Sequence, residues 1–418
     1  MGQYCKLEHE IGKLTLHERQ DTRLLIVTAN TSVRVTNIAE GLAKMGYAVT
    51  LVNCHRSIIP RDAIMQHGVR RITSLADIRE VRVGGQGKLF GHLPILLRFF
   101  LTWPLTMLHV MREARKASIV IGVTPHLASG LPAMLSSRIF GKPFLLDYPD
   151  LVYFGDRVFP INLLAGIERL IVRSADALSV LTELWADFLR TEWGVKTDKI
   201  RIVPNAAASP NLGGEVRETH RKMLRTRLHL DESDFLVGYA GSQWYRRLPK
   251  RGRVDIQGVD NMIESLQALL ETCSNLHLVL AGGVSFPDLP VASIHHLGSF
   301  QTGDSTHLQV LLGTDVLILP AEPCVTYQFF DRFKGFEYLA SGTPVLAADM
   351  PPIRETLGDR VHYYACQDPD SLRKGLLGMM NLFSEERKSS LTEDDTWTAR
   401  IRVFAELTDQ LVQEDRGY

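Results

Sequence analysis

The sequence predicts an α/β protein built from two parallel-sheet domains. Three observations carry this expectation. The chain has 418 residues, more than one ordinary hydrophobic core organises. Short continuous apolar runs alternate along it with segments of helical period, as strands buried on both faces and joined by crossover helices should. Near the middle, residues 206–215 are rich in Ala, Pro, Asn and Gly and read as a linker. The implied division is an extension over 1–22, domains over 23–205 and 216–385, and a C-terminal helical segment over 386–418.

Composition narrows the function. A hydrophobic fraction of 45% is that of a globular protein. Lys plus Arg and Asp plus Glu number 47 each, so a broad nucleic-acid footprint is not expected. Five cysteines (Cys5, Cys54, Cys273, Cys324, Cys366) are scattered, with neither metal-ligand spacing nor a disulfide framework, which points to a reducing, cytoplasmic setting. Residues 1–22 are polar and mixed in charge, without the apolar run of a signal peptide, and are expected to be disordered or loosely docked.

In the first domain, Leu24-Leu25-Ile26-Val27 reads as a buried strand and Asn30-Thr31-Ser32 as its loop. Val35, Ile38, Ala39, Leu42 and Met45 have helical spacing, Gly46 ends that helix, and residues 48–52 form the next strand. This is a strand-helix-strand unit of the Rossmann type without a G-x-G-x-x-G loop, so a dinucleotide cofactor is not expected. The apolar stretch from Leu93 to Val110 is too broken by Arg98, Pro94 and Pro104 to span a membrane. It fits either a core helix or a helix lying on a membrane surface, with Arg112, Arg115 and Lys116 near headgroups. Residues 119–123 and 144–147 read as buried strands, with a helix over 127–139 between them. Because open parallel sheets bind ligands beyond the carboxyl ends of strands, His126, Asp147 and Asp150 are all expected near a cleft. Further elements are helices over 161–172 and 185–191 and a strand over 177–182.

The second domain begins with a strand over 235–241, a helix over 258–270, and strands over 276–281 and 315–320. Between Gly241 and Gly258, a loop carrying Arg246, Arg247, Lys250, Arg251 and Arg253 suits an anionic group, since arginine forks meet phosphate oxygens in pairs. Asp368-Pro369-Asp370 has the D-x-D pattern of metal-dependent transferases but precedes a helix over 371–379 and reads as its cap. A last helix, over 396–412, carries Trp397, Ile401, Phe404, Leu407 and Leu411 on one face.

The stretch on which the reading turns is Arg332-Phe333-Lys334-Gly335-Phe336-Glu337-Tyr338-Leu339-Ala340-Ser341-Gly342-Thr343-Pro344-Val345. Phe329, Phe333, Phe336 and Ala340 recur at helical spacing, Gly342 follows as a cap, and residues 345–348 read as a buried strand. Glu337 stands at the edge of the apolar face, where its carboxylate must find water or donors.

Lys334 to Val345 resembles the K-x-x-E-Y-[ML]-A-x-G-x-P-V signature of family-four glycosyltransferases. The resemblance implies the GT-B fold, two Rossmann-like domains facing across a cleft, acceptor domain first and donor domain second, with the last helix crossing back. It implies a hexosyltransferase-type activity. A sugar moves from a nucleotide diphosphate sugar to a glycan or lipid-linked acceptor, with retained configuration, no metal, and no cofactor besides the donor substrate. Glu337 would hold the ribose hydroxyls. Lys334 and Arg332, the backbone amides of Phe330, Asp331 and Arg332, and the basic loop (Arg246, Arg247, Arg253) would face the diphosphate.

Residues 146–151 resemble the L-D-x-x-D-L segment of that family, which sets Asp150, with His126, as candidate catalytic groups on the acceptor side. Residues 200–205 resemble I-x-V-[IV]-P-N-G, which adds Asn205 to the donor-binding set, although Ala206 replaces the glycine. Further departures are Ser242 and Gln257, where the family has Arg and Lys, and Phe329, where it often has a glutamate that holds the donor sugar. A nucleotide-sugar epimerase and a non-catalytic binding protein on the same fold are the alternatives. The partners implied are the nucleotide-sugar, the acceptor and a membrane surface at the inner face, not nucleic acid.

Overall fold

The computed structural model describes residues 14–29, 32–53, 70–73, 82–83, 87–88, 95–150, 161–207, 214–248, 252–284, 292–381 and 391–417. The chain divides into two compact units, one made of Met1–Val203 with Trp397–Tyr418 and the other of Pro204–Thr396.

The first unit holds a seven-stranded sheet, ordered Arg70–Thr73, Ala48–Asn53, Arg23–Thr28, Ile119–Val123, Phe144–Tyr148, Ala177–Val180 and Ile200–Ile202. Every pairing is parallel. The strands Ile119–Val123 and Phe144–Tyr148 are buried along their whole length, which is why their sequences are uninterrupted apolar runs. Chain order reverses between Arg23–Thr28 and Ile119–Val123, so the loops after these two strands flank the crevice of a doubly wound sheet. The second loop is sharply folded. Thr124 adopts φ 58°, and a Cβ on Gly130 would lie 2.6 Å from the Thr124 carbonyl oxygen. The helix therefore starts at Gly130, later than its apolar spacing predicts.

Asp147 is not a cleft residue. Its side chain is fully buried and takes a two-pronged ion pair from Arg34, with Nε 2.9 Å from Oδ2 and Nη2 2.8 Å from Oδ1. Ser179 donates to the same carboxylate, and Arg34 also donates to the Val203 carbonyl at 2.9 Å. Arg34 thus ties the helix Val33–Lys44 to the carboxyl end of a central strand and to the last residue of the unit's first segment. A charge buried this deeply is tolerated only when its partner and its remaining lone pairs are satisfied.

The C-terminal helix Trp397–Arg416 packs within the first unit. Gly41 leaves room for Ile401, whose Cδ1 would lie 2.0 Å from a Cβ at position 41. Tyr47 donates to Asp409, Arg19 pairs with Asp409 at 2.6 Å, and the Arg34 guanidinium lies 5.7 Å from the Phe404 ring centroid. Part of the N-terminal extension is ordered, contrary to the sequence reading. Leu16–Asp21 is a helix, closed by a capping box in which Thr15 and Glu18 bond each other's backbone amides. Leu14 is buried and Arg19 reaches the C-terminal helix, so this piece is docked.

The apolar stretch forms the helix Ile95–Ala114, which contains Pro104. Thr106, Val110 and Ala114 are buried at four-residue spacing, while Leu108 is 62% exposed. Among the described residues no helix is long and apolar enough to cross a membrane.

The second unit holds a six-stranded parallel sheet, ordered Ile294–His296, Leu276–Ala281, Phe235–Ala240, Val316–Leu319, Val345–Asp349 and His362–Ala365. The segment read as a basic loop is an antiparallel hairpin, Tyr245–Leu248 with Gly252–Asp255. Asp368 accepts from the amides of Asp370 and Ser371 at 3.0 Å each and caps the helix Pro369–Asn381.

Replacing Arg34 by Ala leaves Asp147 buried without its counter-charge. Denaturant unfolding of the first unit should show a loss of about 3–5 kcal/mol, and a loss within experimental error would contradict the structural role given to this pair.

Candidate functional site

In the second unit the chain order reverses between Phe235–Ala240 and Val316–Leu319, so the crevice of this sheet lies beyond Ala240 and Leu319. Three segments meet there: Gly241, Pro320, and the amino end of the helix Phe333–Ser341. The helix is positioned from both ends. Gly342 closes it in the left-handed region at φ 65°, where glycine carries no Cβ penalty. Tyr338 is fully buried, and its hydroxyl accepts from the Ala240 amide at 3.1 Å, which fastens the helix to the end of the neighbouring strand. Phe329 lies outside the helix, four residues before its first residue, and follows a short 3-10 turn, Val325–Gln328.

Lys334 stands in the first turn, half-buried, with its ammonium against Gly241. A Cβ at position 241 would lie 2.1 Å from Lys334 Cε, so only glycine leaves this route open. Lys334 Nζ donates to Gln257 Oε1 at 3.4 Å and lies 5.9 Å from the Tyr239 ring centroid. Burial, reinforced by the nearby Arg332 guanidinium, pulls its pKa down to about 8. Arg332, also buried, is committed to the fold. It donates to the Pro320 carbonyl at 2.8 Å and the Gln257 carbonyl at 3.3 Å, and stacks 4.2 Å from the Tyr327 ring centroid. The amino end of the helix carries no side-chain cap. Its orphan amides and the dipole make it electropositive.

Glu337, one turn on, is 8% exposed. Its Oε1 is buried with no hydrogen-bond partner. Its Oε2 faces His307 Nε2 at 3.7 Å, longer than a hydrogen bond. A buried carboxylate oxygen with no donor is costly, and a site that keeps one is shaped for something that brings donors. His307 carried no sequence signal, because a lone histidine in the helix Ser305–Gly313 has no motif around it.

The remaining candidates are spread differently. Asn205 donates through its backbone and its side-chain amide to Asp331, at 2.6 Å each, just before the signature helix. Arg253 is exposed and lies over the Tyr245 ring at 4.2 Å. Arg246 and Arg247 pair by their backbones with Val254 and Arg253, and their side chains, with Lys250 and Arg251, lie outside the described residues. Where Lys was expected, Gln257 instead donates to the Tyr327 hydroxyl at 2.6 Å and offers its carbonyl to Lys334. Ser242 accepts from the Gly283 amide at 3.1 Å. In the first unit, His126 sits in the loop after Ile119–Val123, with its Nδ1 accepting from the Ala128 amide at 3.0 Å, and Asp150 is exposed beyond Phe144–Tyr148. Both lie past the carboxyl ends of adjacent strands.

Residues 31–206 match the family model described as a glycosyl transferase 4-like domain. No curated protein matches the sequence. Among solved structures, a sucrose-phosphate synthase from Thermosynechococcus elongatus is similar, with 17% identity, a TM-score of 0.59 and 94% of each chain covered. Anabaena HepE, in complex with UDP and glucose, gives 14% identity, a TM-score of 0.57, and coverage of 94% of this chain and 97% of its own. WaaG, a glycosyltransferase involved in lipopolysaccharide biosynthesis, gives 15%, 0.56, 94% and 98%. Residues 31–206 thus carry a glycosyl transferase 4-like domain, and the chain as a whole, with its two parallel-sheet units, has the fold of these glycosyltransferases.

Proposed function

We propose that the protein is a retaining, metal-independent hexosyltransferase that moves a sugar from a nucleotide diphosphate donor to a glycan or lipid-linked acceptor. The observation that carries this reading is Glu337: a carboxylate more than nine-tenths buried, with one oxygen unpartnered, one turn from an ammonium at a sheet's switch point. Two adjacent ribose hydroxyls supply the missing donors in charge-assisted bonds. Lys334 and the uncapped helix end meet the diphosphate, on which negative charge builds as the sugar departs. Arg332 acts from behind, holding the turn through two carbonyls and adding its field. Asp150 and His126, beyond strands of the first unit, serve the acceptor hydroxyl. Asn205 holds Asp331 beside the donor helix, and the hairpin that carries Arg246, Arg247 and Arg253 adds positive charge. With Phe329 in place of a glutamate, the donor sugar is held by other groups. The complex of HepE with UDP makes UDP-sugars the first donors to test.

The acceptor is inferred from the first unit's surface. The helices Ile95–Ala114, Gly130–Phe140 and Ile161–Ser174 each lead into a strand of the parallel sheet, so their carboxyl ends share one edge. They expose Leu108, Ile139 and Leu170 at 62%, 57% and 56%, and exposed Arg112, Arg115, Lys116, Arg138, Arg169 and Arg173 lie toward those ends. Apolar side chains beside a basic rim suit an anionic lipid surface, where a lipid-linked acceptor resides. A cytoplasmic protein docked at the inner membrane face fits this surface.

Turnover decides among the alternatives. Purified protein with UDP-sugars, an acceptor and EDTA should release UDP and form a glycosylated product, and Glu337→Ala should weaken donor binding by about 1.5–3 kcal/mol. Interconversion of two nucleotide-sugars would mark an epimerase, and binding without turnover a non-catalytic protein. Affinity for UDP should fall as pH rises through about 8, where Lys334 loses its proton, and Lys334→Met should flatten that decline. A pH-independent affinity would place Lys334 away from the diphosphate. The protein should co-sediment with phosphatidylglycerol vesicles more than with phosphatidylcholine vesicles, and a Leu108→Ser, Ile139→Ser, Leu170→Ser variant should not. Absence of sedimentation at low salt would remove the membrane surface from the proposal.

A further inference from the structure

Glu337 needs its carboxylate held in one orientation if it is to grip two hydroxyls at once. Its own helix provides little for this, since Oε1 has no partner. The facing group comes from the helix Ser305–Gly313. His307 is 3% exposed there and is fixed on three sides. Its backbone amide donates to Asp304 Oδ1 at 2.8 Å, the cap of that helix. Its ring stacks on Phe300, with centroids 4.7 Å apart and planes 13° apart. Its Nδ1 accepts from the Gly303 amide at 3.0 Å, and Gly303 adopts φ 85°, a conformation that suits glycine.

The last contact fixes the tautomer. An Nδ1 that accepts a hydrogen bond carries a lone pair, so the ring proton is on Nε2. That nitrogen lies 3.7 Å from Glu337 Oε2. Lys334 and Tyr338 also interact with the charge of Glu337. Tyr338 is turned toward Ala240.

We infer that His307 is a positioning residue for Glu337: its fixed Nε2–H faces one carboxylate oxygen and leaves the other to the nucleotide's sugar hydroxyls. The inference rests on the assignment of Glu337 to the ribose. It also makes the site selective for ribose over 2′-deoxyribose, because a carboxylate oriented by the field of the nearby Nε2–H presents itself to both hydroxyls, whereas a freely turning one gains little from the second.

The test is a ratio, which a general loss of stability does not move. Calorimetric titration of the full chain with UDP and with 2′-deoxy-UDP gives each variant's preference. Wild type should favour UDP by roughly tenfold, the worth of one charge-assisted hydrogen bond. His307→Phe keeps the stack on Phe300 but has no N–H, and should bring the ratio close to one. His307→Asn can still accept from Gly303 but is too short to reach Glu337, and should do the same if the Phe variant fails to fold. His307→Gln places an amide N–H near the Nε2 position and should restore the preference. A wild-type ratio in both the Phe and Asn variants overturns the role of His307. Glu337→Gln separates the two levels: if it keeps the wild-type ratio, the ribose assignment itself is wrong. If wild type binds neither nucleotide, nor the GDP and ADP pairs, the nucleotide reading falls, and the inference with it.

Discussion

A parallel sheet buried on both faces leaves chemistry to the ends of its strands, and the rest of this structure follows from that constraint. Strands such as Ile119–Val123 and Phe144–Tyr148 are sealed from water along their length, so their side chains can only pack. Crossover helices send every strand in one direction, and the loops that can carry polar groups gather at one edge. In the second unit that edge collects Gly241, Pro320 and the amino end of Phe333–Ser341. The ammonium of Lys334 and the carboxylate of Glu337 are placed by backbone geometry before any ligand is considered.

Most of the fold was legible in the sequence because burial on both faces writes itself as uninterrupted apolar runs. The signature helix was legible too: Gly342 marks its end, and the left-handed cap is where that reading places it. Its start was misplaced by counting Phe329 into the apolar face, since Phe329 closes a 3-10 turn and the helix begins only at Phe333. Asp147 was misread for a different reason. Position at a strand's carboxyl end says that a carboxylate is near the crevice, but not that Arg34, far away in sequence, turns it inward. The helix Leu16–Asp21 was missed although Thr15 and Glu18 spell its capping box, because a short polar segment has no apolar period to attract notice. His307 had no local pattern at all. Its place opposite Glu337 is a product of two helices meeting, which single-chain periodicity does not encode.

One departure from the pattern that the signature resembles has a physical sense. Gln257 replaces a lysine, and its carbonyl oxygen accepts from Lys334 while its amide holds Tyr327. A second lysine at that position would stand against an ammonium already weakened by burial and by Arg332. At this end of the sheet Lys334 stands beside Arg332, whose guanidinium is spent on carbonyls and a ring.

The helix Trp397–Arg416 belongs to the first unit, although the whole of Pro204–Thr396 is translated before it. The second unit is one continuous stretch and can complete its core while synthesis continues. The first is built from two separate stretches, and its Gly41 and Tyr47 find their contacts, Ile401 and Asp409, only in the later one. A chain that stopped before Trp397 would lack both the Ile401 side chain that packs against Gly41 and the Asp409 carboxylate that accepts from Tyr47.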